Sequence, residues 1–111
     1  MRKILIGLTC CFMSAGVFAK ATPSKEKLEF CEINSNYAKS VMQNRQNGGN
    51  ISDSLKAVEK DVKNQDLKGF YISIIKDAYK QPIWGSEKNK IEAETEFGNE
   101  IFLICLDNFE E

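Results

Sequence analysis

Two cysteines near opposite ends of the chain constrain its fold more than any other feature. Four cysteines occur in 111 residues: Cys10 and Cys11 lie in an apolar N-terminal run, while Cys31 and Cys105 lie outside it. If the run is removed during export, the remaining pair enters an oxidising compartment, where such pairs normally form a disulfide. The sequence therefore predicts a Cys31–Cys105 disulfide. A free-thiol redox role is the alternative, and the missing C-x-x-C spacing argues against it.

The N-terminal run has the form of a secretory signal peptide. Two basic residues precede an uncharged apolar stretch of fifteen residues, and small residues follow. We expect a signal peptide over residues 1–21, with cleavage after Ala21 preferred to cleavage after Ala19. A membrane anchor is the rival interpretation, but the stretch is shorter than the roughly 20 residues that span a bilayer. A lipoprotein is another alternative, although the residues before Cys10 are a poor lipidation signal. The expected location is periplasmic or secreted.

Residues 22–111 form the expected mature domain, which is long enough for one small core. Loss of three basic residues with the signal peptide leaves 12 basic against 16 acidic side chains, a net charge of about −4. Nucleic-acid binding is not expected, because phosphates require a clustered basic face. The chain has no histidine, which excludes Cys-His and Ser-His catalysis and leaves two cysteines without further zinc ligands. We expect no cofactor, no metal and no membrane association of the mature form.

Apolar residues recur at three- and four-residue steps, which indicates four amphipathic helices. The first covers about residues 24–46 and ends at the "NGGN" of residues 47–50, where glycine supplies a left-handed conformation. The second begins at Ser52. The third ends before Pro82, and the fourth runs from Ser86 to about residue 108. The third segment is rich in β-branched and aromatic residues, so a strand over residues 70–76 is the alternative there.

Capping residues predict where these helices begin. Thr22 followed by Pro23 predicts the N-cap of the first helix, and Ser52 that of the second, with Asp53 in its first turn. Asp66 is the expected cap of the third helix, and Ser86 that of the fourth.

Short links between the four helices favour a small all-α, up-down-up-down bundle with one disulfide. This topology places Cys31 and Cys105 at the same end, in agreement with the predicted pairing. Gly98 is unfavourable inside the fourth helix and indicates a bend or a close helix contact. The predicted inner stripe of the fourth helix consists of Ile91, Phe97, Ile101, Ile104 and Cys105.

The opposite end of this bundle collects residues that are common in protein interfaces. Aromatic residues and arginine dominate binding hot spots, so we predict a partner-binding surface there. Its members are Arg45, Gln46, Tyr79 and Trp84, with Asn44 and Gln81 beside them. The structural alternative is that Trp84 covers the core and Arg45 caps the first helix.

Arg45 is the single arginine outside the predicted signal peptide. Because arginine at the edge of a core stripe usually holds a carboxylate, we predict an ion pair with Asp77 or Glu87.

The fourth helix carries an acidic row at four-residue spacing, formed by Glu92, Glu96 and Glu100. Like charges so placed repel one another, which a basic partner or a cation would relieve. A solvated face is the alternative interpretation. Calcium binding is not expected, because no loop has the D-x-D-x-D-G spacing of its ligands. Catalysis by carboxylates alone is also not expected, because a narrow bundle leaves little room for a substrate cleft.

Three segments carry a resemblance to known proteins: "CEINSNYAKSVMQNRQNGG", "IIKDAYKQP" and "FGNEIFLIC". Together they resemble small signal-peptide-bearing proteins of unknown function from proteobacteria and their prophages. The resemblance implies a periplasmic or secreted helical protein and brings no catalytic residues. A looser similarity, of build alone, is to periplasmic immunity proteins that neutralise wall-degrading amidase toxins.

The sequence thus predicts a protein-binding module, such as an inhibitor or immunity protein, that is not an enzyme. Its partner is an unknown protein, and the module is a monomer or small homo-oligomer. The alternative is a periplasmic stress chaperone that loses compactness and exposes apolar surface in acid.

Overall fold

The computed structural model describes residues 22–109, and the predicted signal peptide over residues 1–21 lies outside this part of the chain. The four helices are α1 (Lys25–Gln46), α2 (Ile51–Asp61), α3 (Gln65–Lys80) and α4 (Glu87–Asn108). All regular structure within residues 22–109 is helical, and residues 70–76 belong to α3. The all-α prediction is therefore confirmed, and the strand alternative is wrong.

Side-chain caps fix the start of each helix, but only one of them is the predicted residue. Ser86 caps α4 as expected, with its hydroxyl accepting from the Asn89 backbone N–H at 3.1 Å. The predictions of Thr22, Ser52 and Asp66 are wrong, since each of the other three caps lies two residues away from the predicted one. These caps are Ser24, Asn50 and Asn64.

The two asparagine caps explain most of this difference. Asn50 accepts from the Ser52 N–H at 2.8 Å, and Asn64 accepts from the Leu67 N–H at 2.9 Å. Asparagine is as good an N-cap as serine or aspartate. Asp53 lies in the first turn of α2 as predicted, and Asp66 lies in the first turn of α3 and not at its cap. A negative charge in either position favours the helix dipole.

The "NGGN" segment ends α1 as predicted. Gly48 adopts a φ of 84°, a left-handed conformation that side chains disfavour. Its neighbour Gly49 lies against Asn44, and a Cβ added there would lie 2.3 Å from Asn44 Oδ1. The backbone conformation therefore favours glycine at 48, whereas a side chain at 49 would have to displace the Asn44 amide.

The helices alternate in direction as predicted, with α1 at the centre. α1 packs most extensively against α4 and next against α3, while α2 packs mainly on α3. The Cys31–Cys105 disulfide makes α1 and α4 antiparallel. Hydrogen bonds from Tyr71 to Asn34 and from Asn44 to Tyr79 show that α1 and α3 are parallel. α3 and α4 have few direct contacts, so they flank α1 and leave space between them.

The core lies where three helices meet and receives one buried residue from α2. Its buried apolar residues are Ala38, Val41, Met42, Val58, Ile74, Ile75, Ala78, Phe97 and Ile101. The predicted inner stripe of α4 is correct except for Ile91, which is 55 % exposed. Ile91 precedes Phe97 by six residues, which places it about 120° around the helix from Phe97 and outside the angle that the buried residues cover.

Gly98 marks a close contact between α1 and α4, as predicted. The Ser35 hydroxyl donates to the Gly98 carbonyl at 2.8 Å. A Cβ on Gly98 would lie 2.7 Å from carbon atoms of the Lys39 side chain. The missing side chain therefore lets the two helices approach at this level.

The predicted disulfide is present and buried. The Cα atoms of Cys31 and Cys105 lie 5.6 Å apart, and both residues are fully buried. None of the four described helices is long and apolar enough to span a membrane.

Candidate functional site

Gln46 organises the end of the molecule where the sequence predicts a binding surface. Its side chain is 1 % exposed and contacts the segment between α3 and α4. The amide nitrogen donates to the Pro82 carbonyl at 2.8 Å, and the amide oxygen accepts from the Trp84 N–H at 2.8 Å. Gln46 therefore holds this connection in place from the interior of the protein. Its side chain is buried and its amide is used within the chain, so Gln46 supports the predicted binding surface from the inside.

Arg45 also contacts this connection, and not through a carboxylate. Its Nε donates to the Gln81 carbonyl at 2.9 Å, and its guanidinium carbon lies 5.5 Å from the centre of the Tyr79 ring. The predicted ion pair with Asp77 or Glu87 is wrong. The chain leaving α3 presents a backbone carbonyl to Arg45, and that carbonyl replaces the carboxylate.

Tyr79 completes the contacts at this end. Its hydroxyl accepts from Asn44 Nδ2 at 2.9 Å, so α1 and α3 are joined at the penultimate residue of α3. We call this part of the molecule the clamp end, formed by Arg45, Gln46, Tyr79 and Trp84. The structure thus brings the predicted residues together.

Trp84 differs from the other members of the clamp end because it faces an open groove. The groove has a volume of about 820 Å³, runs along α4, and is called the α4 groove below. Trp84 is 41 % exposed and Leu103 is 62 % exposed. The apolar residues that line the groove are Met42, Trp84, Ala93, Phe97, Leu103 and Ile104.

The acidic row lines the same groove. Glu92, Glu96 and Glu100 are all among its lining residues, and Asp107 extends the row towards the end of α4. Among residues 22–109, no lysine or arginine lines this groove. Two features that the sequence suggested separately, the aromatic end and the acidic row, therefore form one surface.

The sequence prediction missed Leu103 and the groove itself. Leu103 follows Glu96 by seven residues, two turns of helix, so it lies on the acidic face of α4. An exposed leucine on an otherwise charged helix face was the available signal. The groove could not be predicted, because it depends on how α4 and the connection before it lie against α1.

A smaller cavity of about 280 Å³ adjoins the groove between α3 and α4. Ile104 lines both spaces, and the smaller one also contains Ser73 and Asp77. Its remaining apolar lining consists of Phe70, Ile74, Ile101 and Phe109. The open surface therefore continues from the clamp end into the space between the two outer helices.

The opposite end of α1 carries the disulfide, and we call it the disulfide end. The Tyr71 hydroxyl donates to Asn34 Oδ1 at 2.7 Å, beside the buried Cys31–Cys105 bond. Asn34 Nδ2 in turn donates to the Phe30 carbonyl at 3.1 Å. No buried side-chain nitrogen or oxygen atom of residues 22–109 is left without a hydrogen bond.

Two tyrosine rings pack together just above the disulfide end. Tyr37 and Tyr71 are stacked, with ring centres 4.3 Å apart. Burial, with the neighbouring Tyr71 as a smaller cause, raises the pKa of Tyr37 from 10.0 to about 12. Burial also raises the pKa of Tyr71. Both hydroxyls therefore keep their protons to higher pH than free tyrosine does.

No group of three or more potential metal-ligating side chains occurs among residues 22–109. Comparison with known proteins found no matching family model, no matching curated protein and no matching solved structure. The interpretation of the α4 groove therefore depends on its geometry and chemistry.

Proposed function

We propose that this protein functions by binding another protein in the α4 groove, as an inhibitor or an immunity protein does. The observation that carries the proposal is the groove of about 820 Å³ beside the exposed Trp84 and Leu103. Large exposed apolar side chains in a concave surface are typical of protein interaction sites. Tryptophan is the residue type most often found at the centre of such sites.

The support for Trp84 is rigid, which favours binding. Gln46 fixes the backbone at Trp84 and Pro82 with a buried amide, so the backbone position from which the indole projects is set before a partner arrives. Preorganisation of this kind reduces the entropy that is lost on association.

The arrangement of the carboxylates favours binding over catalysis. Hydrolysis by two carboxylates requires an acid and a base on opposite sides of the substrate. Glu92, Glu96, Glu100 and Asp107 all belong to α4, so they form one wall and do not face one another.

We also propose that the protein acts outside the cytoplasm. The signal-like N-terminal sequence and the buried disulfide support this location. A periplasmic or secreted partner follows from it. The chaperone alternative would require acid-induced opening, whereas protonation relieves the repulsion within the acidic row.

Affinity capture with matched variants tests the proposed function. The variant Trp84→Ala/Leu103→Ser removes the two exposed apolar groups of the groove. The control variant is Ile83→Ala/Ile33→Ser, because Ile83 is 49 % exposed, Ile33 is 63 % exposed and neither lines the groove. Each protein is used to capture partners from the envelope fraction of the source organism, and bound proteins are identified by mass spectrometry.

We expect one partner to bind the parent and the control variant and to be lost with the groove variant. Circular dichroism should show unchanged helical content in both variants. If the groove variant and the control variant capture the same proteins, binding at the α4 groove is excluded.

A further inference from the structure

We propose that the partner enters the α4 groove as a basic amphipathic helix. This inference depends on the proposed function and specifies the chemistry of its partner. Such a helix would place leucine-like residues against the apolar lining and lysine or arginine residues against the acidic row.

The dimensions of the groove suit a helix. Its lining extends along α4 from Asn89 to Asp107, a distance of roughly 27 Å at 1.5 Å per residue. Apart from α4, the groove is lined by Met42 of α1 and by Gln81 and Trp84 of the connection, and no residue of α3 lines it. A partner helix in this position would add a neighbour that α4 lacks, in the helix-in-groove mode of recognition.

The apolar lining provides the contact surface for one face of that helix. Trp84 lies at the clamp end, Phe97 forms part of the floor, and Leu103 and Ile104 lie further along α4. An amphipathic helix presents apolar residues every three or four positions, so one face could contact this lining along its length.

The charges of the groove specify a basic partner. Four carboxylates line it, and the two lysines of α4, Lys88 and Lys90, are not among its lining residues. The ion pair observed within residues 22–109 joins Lys68 to Glu59, away from the groove. No glutamate of the acidic row therefore forms an ion pair with a lysine or arginine among residues 22–109.

The spacing of the row matches the spacing of a helical partner. Glu92, Glu96 and Glu100 follow one another at four-residue steps, about 6 Å apart along the axis. Lysine or arginine residues at the same step on a facing helix would meet these carboxylates in register. The same contacts would relieve the repulsion between neighbouring glutamates.

Titration with designed peptides tests this inference. The probe is a synthetic helix of about 18 residues, the length of the groove, with leucine on one face and lysine on the other. A second peptide replaces each lysine with glutamate, and a third replaces each leucine with serine. Trp84 is the single tryptophan of the chain, so its fluorescence reports binding in the groove directly. Calorimetry gives the affinity.

We expect the leucine–lysine peptide to bind, to change the Trp84 emission, and to bind more weakly as salt increases. Neither of the other two peptides should bind. Binding of the serine peptide would indicate attraction between charges alone and would overturn the proposal. Binding of the glutamate peptide with equal affinity would also overturn it.

A matched pair of charge variants tests the acidic row. Glu92→Gln/Glu96→Gln/Glu100→Gln should weaken peptide binding by about tenfold, since three exposed pairs are lost. The control is Glu26→Gln/Glu29→Gln/Glu32→Gln, which removes the same charge from exposed positions of α1. The control should bind within about twofold of the parent. Equal weakening by both variants would show that net charge alone is responsible and would contradict the inference.

A second matched pair tests the apolar lining and the choice of occupant. Leu103→Ser should weaken peptide binding, while Ile33→Ser should not, although the two residues are equally exposed. Sedimentation of the purified protein shows whether a second copy occupies the groove. Self-association that is lost in Leu103→Ser alone would assign the groove to another copy of this chain and overturn the proposal of a separate basic helix.

The two proposals can fail separately. If Trp84→Ala/Leu103→Ser loses the captured partner but the glutamate variant retains it, the groove binds a partner that is not basic. The proposed function then holds and this inference is wrong. If the groove variant captures every protein that the parent captures, the proposed function is itself wrong.

Discussion

The disulfide end and the clamp end of α1 are closed by different interactions. At the disulfide end, a buried covalent bond joins α1 to α4, and Asn34 and Tyr71 satisfy each other nearby. At the clamp end, one buried amide holds the link between α3 and α4, and Trp84 remains partly exposed beside a groove. The α4 groove also reaches this end, because its lining includes Ile104 and Asp107 on either side of Cys105.

This difference suggests a division of roles along α1. A disulfide that closes a long loop stabilises the fold through the unfolded state, without requiring additional buried area. α3 and α4 can then pack on α1 without packing extensively on each other. The α4 groove remains accessible. The disulfide therefore secures one end of α4, and Gln46 fixes the connection that carries Trp84 at the other end.

Removal of the disulfide should have the largest effect on the stability of the protein. Cys31→Ala/Cys105→Ala opens a loop with a sequence separation of 74 residues. The free energy of unfolding should fall by about 4 kcal/mol, which is comparable to the whole stability of a domain this small. Urea unfolding followed by circular dichroism measures the change.

Reduction of the parent protein is the control, because it breaks the bond without removing volume. It should produce a similar loss of stability. A loss below about 1 kcal/mol would show that packing, and not the disulfide, holds the two helices together.

Disruption of the clamp should have the next largest effect. Gln46→Leu keeps the volume but leaves the Pro82 carbonyl and the Trp84 N–H without their partner. The free energy of unfolding should fall by about 1–3 kcal/mol, and the Trp84 emission of the folded protein should shift, because the connection is no longer fixed.

Gln43→Leu is the matched control for this change. Gln43 precedes Gln46 by three residues on α1, and its side chain is exposed. Its replacement should alter stability by less than about 0.5 kcal/mol and leave the Trp84 emission unchanged. Equal effects of the two substitutions would show that Gln46 does not act as a clamp.

Much of the fold could be predicted because it depends on local patterns. Helical periodicity indicates α1 to α4, the glycines at 48 and 49 end α1, and the cysteine pair indicates the antiparallel relation of α1 and α4. The helix starts were less predictable, because asparagine, serine and aspartate cap helices about equally well. Ile91 was misassigned because its spacing from Phe97 is not that of one helix face.

The candidate site was predicted only in part. The residues of the clamp end were grouped correctly by topology, but burial separates Gln46 from Trp84, and burial is not visible in a list of residue types. Arg45 was assigned a carboxylate because the backbone path after Lys80 was unknown. That path brings the Gln81 carbonyl to Arg45. The groove and the position of Leu103 within it depend on α1, α4 and the connection together, so no local pattern could indicate them.

A change of pH should affect stability through the tyrosines near the disulfide end. Its effect should be smaller than that of removing the disulfide or of replacing Gln46. The pKa of Tyr37 is raised from 10.0 to about 12 in the folded protein, so the folded state favours the protonated hydroxyl. This contribution to stability is complete below pH 10 and is lost as the pH rises through about 12. Ionisation of Tyr71, whose pKa is also raised, would remove the donor of its hydrogen bond to Asn34. Solvent around the half-buried Tyr37 ring screens the charge, which keeps the effect small.

Tyr37→Phe isolates this contribution. The variant keeps the stacked ring but cannot ionise at position 37, so its free energy of unfolding should decline less steeply than that of the parent between pH 10 and 12. Other groups that titrate in this range are the same in both proteins, and the difference between the two curves therefore reports Tyr37. Urea unfolding at several pH values gives both curves. Parallel curves would contradict the assignment and would place the alkaline loss of stability elsewhere in the molecule.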